Sequence, residues 1–285
     1  MSFEQIVRDL ERLNVNLYRF AFYTPENGVR VHEFRPCSRC CNSYSVAKAF
    51  LVSAIGLLQD DGLLRVEDSI AAYLGDAFPA NIDPRWHQAT IEHAMTHRLG
   101  FDEGFLDIDT EDVSLYHTDD YLQIVLQHPL AHAPGTHYQY SDAAYYLLSR
   151  LISRVAGERL DSLLWRRLLK PMGFGEIAWS RCPLEHPLGA TGFYARVKDI
   201  VKLGAMYMNE GRFEGQQLLS PAWVAQTLQR GYEFHPMGSP RLIGKGGMYG
   251  QGVVFAPEKG FAAAWHAYDL NHGGNEVVRV LAQYA

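Results

Sequence analysis

The stretch from Ser45 to Leu58 (SVAKAFLVSAIGLL) is almost entirely apolar and carries a single charge, on Lys48. Its apolar residues fall on every side of a helix rather than along one stripe, which predicts a helix that is buried all round. The run is too short to span a bilayer and is interrupted by Lys48, so we interpret it as a core helix. Because burying an unpaired lysine ammonium is costly, Lys48 calls for a functional explanation.

Composition limits the classes of protein to which this chain can belong. It has 285 residues, of which 47% are hydrophobic and 20% charged, values typical of a globular protein with a sizeable core. The net charge of −6 carries no sign of nucleic-acid binding. The charged, amphipathic N-terminus lacks the pattern of a signal peptide, so we predict a cytoplasmic protein without membrane association and with reduced cysteines.

The order of the predicted elements places strands at both ends of the chain and helices between them. A helix is predicted over residues 2–13, a hairpin over residues 15–35, and two strands in GQGVVFAP and FAAAWHAYDL before a closing helix. Helical patterns dominate the middle of the chain. We therefore predict an α/β (α+β) fold, an antiparallel sheet from residues 1–62 and 196–285 flanked by the terminal helices, with a helical region, residues 63–195, inserted into the same catalytic unit.

Ser45 and Lys48 form an S-x-x-K pattern at the start of the buried helix. Residues three apart share a helix face, so the Ser45 hydroxyl is expected beside the Lys48 amine. A serine hydroxyl is a poor nucleophile until a neighbour takes its proton, and a desolvated, neutral lysine can do so. The helix N-terminus adds a partial positive charge that suits a developing oxyanion. The pattern also arises by chance, with Ser45 as a simple N-cap, and that alternative stays open here.

Two further segments contain residues suited to the same chemistry. Tyr140-Ser141-Asp142 precedes a predicted helix, and a tyrosine held near a lysine can pass its proton to a leaving group. Residues 244–257 (GKGGMYGQGVVFAP) run into a strand, where glycine often marks close approach of a ligand to the backbone. Each segment has a simpler interpretation, with Asp142 as a helix N-cap, Tyr140 as a packed aromatic and the glycines as a hairpin turn.

Together the three segments resemble the motifs of the penicillin-recognising serine hydrolases, which include class C β-lactamases, D-alanyl-D-alanine peptidases and related esterases. The first motif is intact, the second appears as Tyr140-Ser141-Asp142 in a PGT…Y frame, and the third as Lys245-Gly246-Gly247. The resemblance spans nearly the whole chain. GMYGQGVVFAPEKG is most similar to the branch of esterases and 6-aminohexanoate-dimer hydrolase.

The resemblance implies a β-lactamase/transpeptidase-like fold and a serine hydrolase that forms an acyl-enzyme without a metal or organic cofactor. Ser45 is then the nucleophile, Lys48 its base, and Tyr140 the group that passes a proton to the leaving group. Backbone N–H groups hold the oxyanion. The residues implied at the site are Ser45, Lys48 and Tyr140 for catalysis, and Asp142, Lys245, Gly247 and Met248 for the substrate and the oxyanion.

Two departures from the family pattern bear on the substrate. Asp142 stands where the family has an asparagine that donates an amide N–H to the substrate, a bond that an ionised aspartate cannot make. The third motif lacks the family's threonine. An alternative frame, counted back from Pro257, places this motif at residues 242–244. We therefore predict hydrolysis of a small ester or amide. A β-lactamase or D-amino-acid peptidase, and a catalytically degraded binding or scaffold protein, are the alternatives.

The cysteines and histidines do not form a recognisable metal-binding pattern. Cys37, Cys40 and Cys41 contain one C-x-x-C pair, which is weak evidence for zinc when only Cys182 lies elsewhere. We expect these three to border the active site and to react with thiol reagents without being catalytic.

His93 and His97 are four residues apart but lack the H-E-x-x-H pattern, so we interpret His97 as structural. Tyr249 and Trp265 are candidates for a pocket wall.

Overall fold

The computed structural model describes residues 2–270 and 273–285, which divide into two compact units. Unit 1 contains Met1–Ala49, Arg167–Ala178 and Phe193–Ala285. Unit 2 contains Phe50–Arg166 and Trp179–Gly192. The predicted α/β fold is confirmed, because both ends of the chain supply the strands of the main antiparallel sheet.

The helices and strands of unit 1 are numbered in chain order along the whole protein. They are α1 (Phe3–Glu11), β1 (Leu17–Thr24), β2 (Gly28–Glu33), β3 (Cys40–Asn42), the start of α2 (Ala47–Asp60), most of β4 (Ile177–Trp179), β5 (Phe193–Arg196), α8 (Val197–Met208), β6 (Arg212–Phe213), β7 (Gln216–Gln217), α9 (Pro221–Arg230), β8 (His235–Met237), β9 (Ser239–Gly247), β10 (Gln251–Ala256), β11 (Phe261–Ala267) and α10 (Gly274–Ala282).

Unit 2 is helical, as the middle of the sequence predicts. It holds most of α2, followed by α3 (Ala71–Leu74), α4 (Ile91–Met95), α5 (Tyr121–Gln127), α6 (Asp142–Ala156) and α7 (Leu160–Leu164). Gly157 terminates α6 in the left-handed conformation, at φ 68°. None of the helices in the described part of the chain combines the length and hydropathy that a membrane span needs.

The main sheet has the strand order β2-β1-β11-β10-β9-β8, with antiparallel neighbours throughout. One of its faces packs against α1 and α10 through apolar side chains such as Ile6, Leu242 and Leu281. The other face packs against α8, where Gly204 allows the helix to approach β10 and β11 closely. A second sheet, in the order β3-β5-β4, holds the segment that leads into Ser45.

The strand β9 was not anticipated from the sequence. Its nine residues, SPRLIGKGG, include one proline and three glycines, which have low strand propensity. Pairing with β8 on one side and β10 on the other imposes the extended conformation. Tertiary pairing therefore overrides local propensity here, and it extends the glycine-rich segment into the sheet.

Packing between β10 and β11 provides a test of this core. A β-carbon added at Gly252 would overlap the indole of Trp265, which is only 1% exposed. We expect Gly252→Ala to lower the free energy of unfolding by about 1–3 kcal/mol, because the buried indole has no room to move. Urea unfolding followed by fluorescence measures the change.

Gly75→Ala is the matched control, because an added β-carbon at Gly75 would meet no atom within 4 Å. It should stay within about 0.5 kcal/mol of the wild type. Equal stability of the two variants would contradict the packing argument.

Candidate active site

Ser45 and Lys48 lie together at the start of α2. A single 3₁₀ turn, Tyr44–Val46, carries Ser45 and runs directly into the helix. The Nζ atom of Lys48 lies 3.0 Å from the Oγ atom of Ser45, within hydrogen-bonding distance. Lys48 is fully buried and Ser45 is half-buried. The hydroxyl is therefore partly accessible, whereas its amine partner is shielded from water.

Neighbouring residues hold the turn in place. The N–H and the hydroxyl of Ser43 both donate to the carbonyl oxygen of Phe193, at 2.9 and 2.8 Å. The side-chain oxygen of Asn42 accepts the N–H of Tyr44 at 2.9 Å. Tyr44 has a φ of 48°, an uncommon value for a bulky residue. These bonds fix a strained backbone immediately before Ser45, a role that the sequence pattern did not reveal for Ser43.

The end of β9 lies against this turn. A β-carbon added at Gly247 would be 2.5 Å from the carbonyl oxygen of Ser43 and 3.4 Å from the backbone nitrogen of Ser45, so glycine is required there. Met248 follows as the first residue of a 3₁₀ turn. Leu242, in contrast, is buried in the apolar core beneath α1 and α10. The geometry favours a third motif at residues 245–247 over residues 242–244.

Lys245 is paired with a buried carboxylate. Side chains alternate along a strand, so Lys245 projects from the same face of β9 as the missing side chain of Gly247. Its Nζ atom lies 2.5 Å from an Oε atom of Glu233, and the two side chains are 11% and 3% exposed. The charge of Lys245 is therefore compensated within unit 1. No sequence motif marked Glu233, which lies in the loop between α9 and β8.

A cavity of about 320 Å³ opens beside the end of β9. Tyr249 and Trp265 both line it, together with Met248. The ring centroid of Tyr249 lies 5.2 Å from that of Tyr44 and 4.5 Å from that of Tyr268. An aromatic cluster therefore extends from the residue before Ser45 to the wall of this cavity.

The second motif lies in unit 2. Ser141 occupies the N-cap position of α6, and Asp142 is the first helical residue. The N-cap is therefore Ser141 and not Asp142. The ring of Tyr140 packs on His97, with 4.4 Å between centroids. The Nδ1 atom of His97 accepts the N–H of Ser141 at 3.2 Å. His97 thus holds the Tyr140-Ser141 segment, as its structural interpretation predicted.

Asp142, from the second motif, lies close to two further carboxylates that no sequence motif indicated. Carboxylate oxygens of Asp107, Asp109 and Asp142 lie within 4.8 Å of one another. Burial, and then the charge of Asp142, raise the pKa of Asp107 above its ordinary value. Such an oxygen donor set suits a hard cation, and a shared proton relieves the same repulsion. The only sequence signal is the acidic segment LDIDTED, residues 106–112.

Several known proteins are similar to this chain in sequence or fold. The model of the Beta-lactamase family matches residues 38–277, which include all three motifs. PbpX of Bacillus subtilis (strain 168) is 24% identical over 149 residues, covering 52% of this chain and 35% of PbpX. The unguisins hydrolase ungD of Aspergillus violaceofuscus (strain CBS 115571) is 28% identical over 134 residues, covering 45% of this chain and 24% of ungD. The chain thus matches about a third or less of the length of these relatives.

Solved structures show the same fold at lower sequence identity. The octameric penicillin-binding protein homologue from Pyrococcus abyssi superposes with a TM-score of 0.75 and 16% identity. The superposition covers 99% of this chain and 77% of that one. At this level of identity the likeness shows a shared fold.

The raised pKa of Asp107 leads to a pH-dependent stability. A raised pKa in the folded state means that folding favours the protonated acid, so stability is lost as pH rises through that pKa. Asparagine imitates the protonated acid. We expect Asp107→Asn to raise the free energy of unfolding near neutral pH, with the gain vanishing below the ordinary value of 3.8. Thermal unfolding across this pH range, with a chelator present, measures the effect.

Asp112→Asn provides a control of opposite sign. The hydroxyl and then the backbone N–H of Ser114 lower the pKa of Asp112, so folding favours its charged form. That variant should lose stability near neutral pH. A gain in Asp107→Asn that persists unchanged into acid would contradict the argument.

Proposed function

Because this chain belongs to the Beta-lactamase family of serine hydrolases, we propose that it cleaves a small, uncharged ester or amide through a covalent acyl-enzyme. The observation that carries the proposal is the 3.0 Å contact between the Ser45 hydroxyl and the buried Lys48 amine. A hydroxyl beside a base is the arrangement that nucleophilic catalysis requires. The half-buried position of Ser45 supports access of a carbonyl carbon to its oxygen.

In the proposed acylation, Lys48 acts as the general base. Its amine accepts the Ser45 proton while the serine oxygen attacks the substrate carbonyl. Backbone N–H groups of Ser45 and Met248 stabilise the oxyanion, and the close approach of Gly247 to the Ser45 turn supports this assignment, because it brings the end of β9 beside the Ser45 backbone. The carbonyl then re-forms and the leaving group departs with a proton. We assign delivery of that proton to Tyr140 on the basis of its motif.

Deacylation follows the reverse route. Water attacks the acyl carbonyl and loses a proton to the relay of Lys48 and Tyr140. The serine oxygen leaves as the new acid forms, and it takes up that proton to restore the hydroxyl. The relay therefore returns to its starting protonation state after each turnover.

The pairing of Lys245 with Glu233 supports an uncharged substrate. A lysine attracts a substrate carboxylate strongly only when its own charge is not already compensated. An Oε atom of Glu233 lies 2.5 Å from the Nζ atom of Lys245, and the Glu233 side chain is 3% exposed, so the compensating carboxylate is built into the folded protein. β-Lactams and D-amino-acid peptides carry a carboxylate near the bond that is cleaved. We therefore place neutral esters and amides ahead of them.

The first test concerns the nucleophile. We expect the wild type to hydrolyse p-nitrophenyl butyrate and to form a fluorophosphonate adduct on Ser45, detected by peptide mass spectrometry. Ser45→Ala should lose both, because the attacking oxygen is gone. Lys48→Met should lower kcat/KM by a factor on the order of 10² to 10⁴, the usual contribution of a general base.

Ser38→Ala is the matched control, because Ser38 is an exposed serine in the same segment and should leave turnover and labelling unchanged. Circular dichroism establishes that each variant is folded. A folded wild type that is neither labelled nor active would overturn the proposal in favour of a binding or scaffold role.

The second test concerns substrate charge. We compare p-nitrophenyl butyrate with the p-nitrophenyl monoester of succinic acid, which carries a carboxylate. The wild type should prefer the butyrate, and it should leave a chromogenic cephalosporin intact. Glu233→Gln should raise the succinate-to-butyrate ratio of kcat/KM about tenfold, equal to about 1.4 kcal/mol, because it exposes an uncompensated cation.

The double variant Glu233→Gln/Lys245→Met distinguishes an effect of the Lys245 charge from an effect of a changed pocket shape. It should return the ratio to the wild-type value, because the cation has been removed as well. Glu258→Gln, in the exposed Arg241–Glu258 pair, serves as the surface control. An unchanged ratio in a folded Glu233→Gln variant would refute the role assigned to this pair.

A further inference from the structure

His266 is a buried histidine on β11 that no sequence motif indicated and that takes no part in the proposed reaction steps. It is 1% exposed, and its two ring nitrogens face two different parts of unit 1. The Nε2 atom lies 3.1 Å from the carbonyl oxygen of Ala195, on β5. The Nδ1 atom lies 3.1 Å from the Oε1 atom of Gln251, the first residue of β10. The ring therefore connects the main sheet to the second sheet.

The ring can donate a hydrogen bond to only one of these two oxygens. Burial lowers the pKa of His266 to about 4, so near neutral pH the ring is neutral and has a single N–H. The Gln251 amide is held without the ring, because its Oε1 atom accepts the N–H of Ala267 at 3.3 Å and its Nε2 atom donates to the carbonyl oxygen of Ala267. The ring N–H therefore belongs at Nε2, where its acceptor is Ala195.

The two proposed oxyanion donors are carried by different sheets. Ser45 follows β3, which pairs with β5 in the second sheet. The carbonyl oxygen of Phe193, on β5, accepts both the N–H and the hydroxyl of Ser43. Met248 follows β9, which belongs to the main sheet. The separation of the Ser45 and Met248 N–H groups therefore depends on how β5 is held against the main sheet.

We propose that His266 is a positioning residue of the active site, which fixes the separation of the two oxyanion donors by donating its Nε2–H to the carbonyl oxygen of Ala195. This inference rests on the proposed function. Gln251, on the other side of the ring, stands opposite Gly247 in the register of β10 and β9. The ring thus lies between the strand that anchors the Ser45 turn and the residue paired with Gly247. Loss of its bond should move one donor relative to the other and weaken oxyanion stabilisation.

Two substitutions test the two ring contacts separately. The amide nitrogen of glutamine takes the position of Nε2, whereas that of asparagine takes the position of Nδ1. His266→Gln should keep kcat for p-nitrophenyl butyrate within about threefold of the wild type, because it still donates to Ala195. His266→Asn should lower kcat about 10- to 100-fold and change KM less than about twofold, because the bonds to the oxyanion are strongest in the transition state.

Val254→Ala is the control for a loss of stability alone. Val254 is fully buried on the opposite face of the main sheet, among the apolar residues that pack on α1 and α10. This variant should lower the melting temperature and leave kcat unchanged. A folded His266→Gln variant that loses kcat tenfold, or a folded His266→Asn variant that retains it, would overturn the role assigned to the bond with Ala195.

Hydrogen exchange measured by mass spectrometry tests the same bond without a substrate. Peptides that contain β3 and β5 should exchange faster in His266→Asn than in His266→Gln or the wild type, while peptides from α6 serve as the reference. An inactive, unlabelled wild type would overturn the proposed function, and the role of His266 with it. An active wild type whose His266→Asn variant shows unchanged kcat and unchanged exchange would overturn the role of His266 alone.

Discussion

The contact between the buried Lys48 amine and the Ser45 hydroxyl is the constraint on which the rest of unit 1 depends. The helix that carries Lys48 must be apolar on every side to exclude water, while Ser45, in the 3₁₀ turn that precedes it, remains half-buried. That turn is anchored to β5 through Ser43, and β9 approaches it so closely that position 247 has no room for a side chain. The last residue of the third motif is therefore glycine because the backbone around Ser45 requires it.

Charge around the proposed site is arranged differently from a site that recognises acids. The lysine of the third motif is compensated by Glu233, a buried carboxylate. In unit 2, Asp142 stands within a group of carboxylates, where the family has a neutral amide donor. The first change compensates a cation that would attract a substrate carboxylate, and the second puts an acid in place of an uncharged donor. Both agree with the proposed preference for a neutral ester or amide, and neither depends on the other.

Several elements could be predicted from the sequence because their signals are local. The hairpin of β1 and β2, the helix that ends at Gly157 and the helix after Ser220 all follow from periodicity and capping. Helices α3 and α4 are short, with 4 and 5 residues. The strand β9 was missed altogether, because its order comes from pairing with β8 and β10 rather than from its own residues.

The sequence by itself determined that the Ser45 hydroxyl and the Lys48 amine lie together, since the two residues are separated by about one helical turn and share a face in any such helix. Only the tertiary structure decided that Glu233 meets Lys245, that Asp107 and Asp109 meet Asp142, and that Gly247 meets the Ser45 turn. The last two sets of contacts join residues far apart in the chain. Even the Glu233–Lys245 pair is set by a loop and the strand β9, which has no strong propensity of its own. Short sequence patterns determine local backbone geometry, whereas the partner of a buried charge depends on how the strands of the whole sheet are paired.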